Sequence, residues 1–168
     1  MRTIVLLGLR GAGKSTVARE LAGRTGLEAI DLDREIVARA GKPIPRIFAE
    51  EGEERFRALE SEALRVALGV ECVLAPGGGC VLRPENRDAI RRSGAFVVYL
   101  EARPETLAAR VAADTRNERP PLVAGGPLAE AKALLAVREP FYLELARATV
   151  ETDALTPSEV ATAILDKV

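Results

Sequence analysis

The sequence predicts an α/β fold: a parallel, doubly wound sheet of about five strands with helices on both faces. Three observations carry that prediction. Short apolar runs rich in β-branched residues recur along the chain, as strands buried on both faces require. Each is followed by a stretch with helical apolar spacing, the order that builds parallel crossovers. The first strand–helix junction is a glycine-rich loop, Gly8-Leu9-Arg10-Gly11-Ala12-Gly13-Lys14-Ser15.

Residues 2–7 read as the first strand and 14–25 as the first helix, with Val17, Ala18, Leu21 and Ala22 on one apolar face. The loop between them fits G-x-x-x-x-G-K-S/T, and a strand before it with a helix after it is the context that pattern needs. Its glycines let the backbone turn and point successive N–H groups inward, and the positive helix end adds to them. Gly11, Ala12 and Gly13 therefore form a phosphate cradle. Lys14 supplies a mobile charge for the β- and γ-phosphates, Ser15 a hydroxyl for Mg²⁺, and Thr16 a further donor to phosphate.

Residues 28–31 form a short second strand that runs into Asp31-Leu32-Asp33, at the head of a helix over 32–40. Asp33 is placed to cap that helix. Alternation equally sets Asp31 and Asp33 at the carboxyl end of a strand, where open α/β sheets hold ligands. One carboxylate then orients Mg²⁺ through water and the other reaches a substrate hydroxyl. Both readings stand on these residues alone.

Gly41 ends that helix, and 44–69 form a long helical region that Gly52 breaks or bends. Its charged run reads as a solvated face, with Glu51–Arg55 and Glu53–Arg57 pairs one turn apart. Arg57 fits that reading less well, because it follows Phe56 and has Glu60 one turn on. Residues 71–75 are the third strand, and Pro76-Gly77-Gly78-Gly79 follows at its carboxyl end. A tight turn needs one glycine; three in a row are better explained by close approach of the backbone to a ligand.

Residues 83–92 are helical with Pro84 in the first turn, and 95–100 are a fourth, buried strand. Pro104 opens a helix to about residue 113 that carries Arg110, by default a surface charge. Residues 114–127 are polar and rich in Pro and Gly, too long for a simple connection, and read as a mobile functional loop with Arg116 and Arg119. An apolar helix over 128–146 contains Arg138, Glu139 and Pro140; a fifth strand at 148–152 and a helix at 157–167 close the chain.

The 168 residues suit one domain with a single sizeable core. Hydrophobic residues at 48% and charged residues at 29% give an ordinary globular balance. A net charge of −1 supplies no field that would draw the chain to nucleic acid or to a membrane surface. Met1 leads straight into a strand, and no apolar run approaches a membrane span, so a cytoplasmic protein without a signal peptide is expected. Cys72 and Cys80 lack metal-ligand spacing and read as buried thiols. The sequence has no His, so catalysis must rest on carboxylates, Arg, Lys and a bound metal; Arg outnumbers Lys 20 to 4.

These residues together resemble shikimate kinase, a small P-loop kinase family of the nucleoside-monophosphate-kinase type. The marks are GLRGAGKST at 8–16, DLD at 31–33, the pattern from Ile47 to Glu60, GGG at 77–79, RPPL at 119–122 and REPFY at 138–142. The first is generic to P-loop proteins; the ordered set of the others is specific. The resemblance covers essentially the whole chain. It implies a three-layer P-loop NTPase fold, with a substrate-binding segment at about 32–61 and a lid at about 114–127. It implies ATP-dependent phosphorylation of the 3-hydroxyl of shikimate, on the way to chorismate, by a monomer with ATP and Mg²⁺.

The same resemblance assigns roles. Arg57 and Arg138 clamp the shikimate carboxylate, a task suited to planar guanidinium groups. Asp33, with Gly78 and Gly79, completes the acceptor site, and Asp33 accepts the proton. Ser15 and Asp31 hold Mg²⁺, Arg110 meets the adenine, and Arg119 comes in on the lid against the transferring phosphoryl. The doubled proline after Arg119 leaves Arg116 as the other lid arginine. Two further readings compete: a kinase of another small polyol acid or of a nucleotide, and a non-catalytic ligand-sensing module on the same fold.

Overall fold

The five predicted strands are short runs, buried on both faces at the centre of the sheet and partly exposed at its two edges. In the computed structural model, which describes residues 3–114, 121 and 123–168, they are β1 (Ile4–Leu7), β2 (Glu28–Asp31), β3 (Cys72–Ala75), β4 (Phe96–Glu101) and β5 (Ala148–Glu151). All pair in parallel, in the order β2-β3-β1-β4-β5. Alternation along β1 sends Ile4 and Leu6 into one core and Val5 and Leu7 into the other.

Among the described residues seven α-helices cover the sheet: α1 (Lys14–Thr25), α2 (Leu32–Ala40), α3 (Ile44–Ala67), α4 (Pro84–Ser93), α5 (Pro104–Ala113), α6 (Gly126–Leu145) and α7 (Pro157–Leu165). Val17, Leu21, Val160 and Ile164 from α1 and α7 pack with Ile4 and Leu6 on one face. Leu32, Ile36, Ile47, Leu64 and Ile90 from α2, α3 and α4 pack with Val5 and Leu7 on the other. No described helix is long and apolar enough to cross a membrane. Cys72 and Cys80 are free and buried, and burial pushes the Cys72 thiol up to about 11.

Three local features depart from the sequence reading. The cap of α2 is Asp31, not Asp33: its carboxylate accepts from the backbone N–H groups of Asp33 and Arg34. A single 3₁₀ turn, Cys80–Leu82, follows the glycine run. Helix α6 begins at Gly126, so it takes the last two residues of the predicted 114–127 loop. Within that loop, residues 115–120 and 122 lie outside the described residues, and Arg116 and Arg119 with them.

The strand order locates the site. The chain leaves β1 toward β2 on one side and leaves β3 toward β4 on the other, so the loops after β1 and β3 diverge. Open α/β sheets bind ligands in the crevice at such a switch point. The phosphate-type loop follows β1 and the glycine run follows β3.

Candidate active site

The loop after β1 holds its shape by packing as well as by turning. Gly11 has φ +90, and a Cβ there would lie 2.8 Å from the Leu107 carbonyl oxygen, so a side chain is excluded on both counts. Ala12 is buried, and its N–H donates to Leu9 O at 3.1 Å. Gly13 stands at the N-cap of α1, whose first turn holds Lys14, Ser15 and Thr16. The Lys14 ammonium donates to Gly8 O at 2.8 Å and to Leu9 O at 3.0 Å.

Arg110 is not a plain surface charge. Its guanidinium donates to Gly11 O at 3.2 Å, and to the hydroxyl and carbonyl oxygens of Thr152 at 3.0 and 2.7 Å. It thus ties the loop to the carboxyl end of β5, an anchor that the helical pattern of α5 gave no sign of.

Ser15 Oγ donates to Asp31 Oδ2 at 2.6 Å. A hydroxyl and a carboxylate therefore meet beside the first turn of α1. No group of three or more His, Cys, Asp or Glu placed to hold a metal occurs among the described residues. The Ser15–Asp31 pair fits the other mode: Mg²⁺ takes one or two such oxygens and completes its shell with phosphates and water.

On the far side of the loop, a cavity of about 160 Å³ is lined by Asp33, Phe48, Phe56, Arg57, Gly78 and Arg138, among others. The kink at Gly52 (φ 81, ψ 170) divides α3 into two segments, and Phe48 and Phe56 meet across it with ring centroids 4.7 Å apart. The second segment carries Phe56, Arg57 and Glu60 on the cavity side. Arg57 donates to Glu60 at 2.8 Å, and its Nε lies 3.6 Å from Glu53. The Glu60 side chain is only 1% exposed. Burial pushes its carboxyl above the ordinary range, and the Arg57 charge pulls the other way. Sequence reasoning noted Glu60 beside Arg57 but had no signal for its burial, because the run around it is charged throughout.

Arg138 comes to the same cavity from α6. It is buried, and its Nε has no hydrogen-bond partner among the described residues. Burial holds its pKa below the ordinary arginine value, and the Arg57 charge adds in the same direction. An incoming anion relieves both costs. The glycine run separates this cavity from the phosphate-type loop. A Cβ on Gly79 would lie 2.7 and 2.8 Å from the two terminal nitrogens of Arg57, and one on Gly78 would lie 3.1 Å from Gly8 O. Close approach, rather than turn formation, is therefore what these glycines permit; Gly79 has an ordinary φ of −88.

The geometry brings together Lys14, Ser15, Asp31, Asp33, Arg57, Gly78, Gly79 and Arg138 around one crevice. It can hold two anions side by side, one on the loop and one on the paired arginines.

Comparison with known proteins bears on what these anions are. The family model for shikimate kinase matches residues 10–168. Shikimate kinase of Symbiobacterium thermophilum is 46% identical over 165 residues, which cover 98% of this chain and 94% of that protein. Among solved structures, the shikimate kinase of Acinetobacter baumannii in complex with shikimate has a TM-score of 0.92 and 37% identity, covering 99% of this chain and 92% of that one. A gluconokinase of Sinorhizobium meliloti shares the fold at a TM-score of 0.64, with 21% identity.

Proposed function

Because the chain belongs to the shikimate kinase family, we infer that its loop and cavity divide one reaction between them, the loop holding ATP and the cavity holding shikimate. The enzyme phosphorylates the 3-hydroxyl of shikimate at the expense of ATP. The two competing readings, another polyol acid or a sensing module, are not favoured by these likenesses.

The observation that carries the residue assignment is the convergence of Arg57 and Arg138, some eighty positions apart, on one cavity beside the loop. Two guanidinium groups on one small cavity match a carboxylate, which each can grip through parallel N–H donors. Asp33, in the same wall, orients the ring hydroxyls and takes the proton from the 3-oxygen as that oxygen bonds to the γ-phosphorus and ADP leaves. Lys14, with the N–H groups of Gly11, Gly13 and Ser15 and the Thr16 hydroxyl, holds the phosphates, while the Ala12 N–H braces the loop against Leu9 O. Ser15 and Asp31 would hold Mg²⁺, which when bound neutralises charge on the phosphate oxygens. Arg110 steadies the nucleotide side through Gly11 and Thr152. Arg119 belongs to the lid, where its charge meets the transferring group, with Arg116 as the other candidate. Phosphoryl transfer needs positioning and charge neutralisation more than covalent help, so the lack of His is no obstacle.

Phosphorus NMR of a reaction with ATP and shikimate tests this reading. One phosphomonoester, coupled to the ring proton at carbon 3, is expected; free phosphate alone, or a phosphate on another hydroxyl, would contradict it.

The glycine run supplies a local prediction. Gly79→Ala fits the backbone but drives its methyl onto the Arg57 guanidinium, which Glu60 pins in a half-buried place. Shikimate affinity should fall by about tenfold, about 1.4 kcal/mol, with ADP affinity unchanged. Isothermal titration of each ligand reads both quantities.

A further inference from the structure

Tyr142 lies four residues beyond Arg138 on α6, so the two side chains stand on one face of that helix. Its ring is fully buried and meets the Tyr99 ring at 5.2 Å between centroids, tilted by 34°. Tyr99 is itself fixed, since its hydroxyl donates to Glu139 at 2.8 Å. The Tyr142 hydroxyl donates to Gly78 O at 2.6 Å. A Cβ placed on Gly78 would lie 3.2 Å from that hydroxyl, 3.5 Å from Arg138 Nη1 and 3.1 Å from Gly8 O. Three groups therefore converge on one glycine of the run: the phenol, the acceptor-side guanidinium and the foot of the phosphate-binding loop.

We propose that Tyr142 is a positioning residue for the transfer: its hydroxyl holds the Gly78 carbonyl and the Arg138 guanidinium in register, and so sets where the acceptor sits relative to the phosphate donor. The inference rests on the reading of Arg138 as part of the carboxylate clamp. The phenol has one proton and spends it on Gly78 O, which leaves its lone pairs to the guanidinium. Burial pushes the phenol well above its ordinary pKa, although Arg138 pulls it down, so the group stays protonated and the donor bond persists through the working pH range. A buried aromatic ring alone would serve packing equally well as Phe; what the hydroxyl adds is a hydrogen bond to the glycine run at the wall of the site.

Tyr142→Phe keeps the ring and removes only the hydroxyl. Shikimate and ADP are titrated into the wild type, Tyr142→Phe, Arg138→Lys and the double variant, with melting temperatures measured in parallel. The single Tyr142→Phe change should weaken shikimate binding about fivefold to tenfold and leave ADP binding within twofold. Its melting temperature should fall by no more than about 2–4 °C, as loss of one buried hydrogen bond implies. In the Arg138→Lys background the same change should cost less than twofold, because the guanidinium it holds is gone. A normal shikimate affinity in Tyr142→Phe, or losses that simply multiply in the double variant, would overturn the positioning role. A normal affinity in Arg138→Lys would instead overturn the clamp, and the positioning role with it.

Discussion

Lys14→Met is expected to lower turnover about a thousandfold while the chain stays folded. The wild-type ammonium donates to Gly8 O and Leu9 O within the loop, and the proposed function assigns it to the phosphates of ATP. A preorganised charge aimed at the transferring group lowers the barrier by about 4 kcal/mol, which is the thousandfold. Met keeps the unbranched stem and loses only the charge. The two carbonyls lose their donor, at about 1 kcal/mol each, against a total stability of about 5–15 kcal/mol. An ADP-release assay and circular dichroism on the same sample check both halves. Near-native turnover in the folded variant would contradict the loop assignment.

The second large effect belongs to the arginine pair. Arg57→Lys or Arg138→Lys keeps the charge but loses the planar fork, and each should weaken shikimate binding by about 1–3 kcal/mol, roughly fivefold to more than a hundredfold. Arg138→Lys should be the worse of the two. Arg138 is buried with an open Nε, whereas Arg57 is already occupied by Glu60, so more of the Arg138 fork is available to the ligand. The double Lys variant should cost less than the two singles together, because one carboxylate couples them. ADP affinity should hold in all three, since the proposed function assigns the nucleotide to the loop at 8–16. Titrations of both ligands decide it; strict additivity, or parallel loss of ADP affinity, would show that the arginines do not share a carboxylate.

Local pattern alone located every strand and helix of the sheet layers, because each element is written in a few consecutive residues. The loop at 8–15 was legible for the same reason. What lay beyond reach was assembled at a distance. Nothing near Arg57 or Arg138 marks them as neighbours; the Gly52 kink and the register of α6 make them so, and only the family resemblance named the pair. Glu60 looked like one more solvated carboxylate, yet its side chain is 1% exposed. Arg110 looked like surface charge, and Thr152 is the partner that changes that. The sequence leaves Asp33 open between capping the helix and reaching a substrate hydroxyl; Asp31 does the capping and also receives Ser15, since its two oxygens face different partners. The order of the strands leaves no local trace at all.

This chain moves phosphate from ATP to shikimate. A coupled ADP-release assay with shikimate, quinate and gluconate supplied in turn to the intact enzyme tests that transfer. ADP release that depends on shikimate, and that falls to the level of ATP alone with gluconate, is the predicted result. Release driven by gluconate but not by shikimate, or none with any acceptor, would contradict the account.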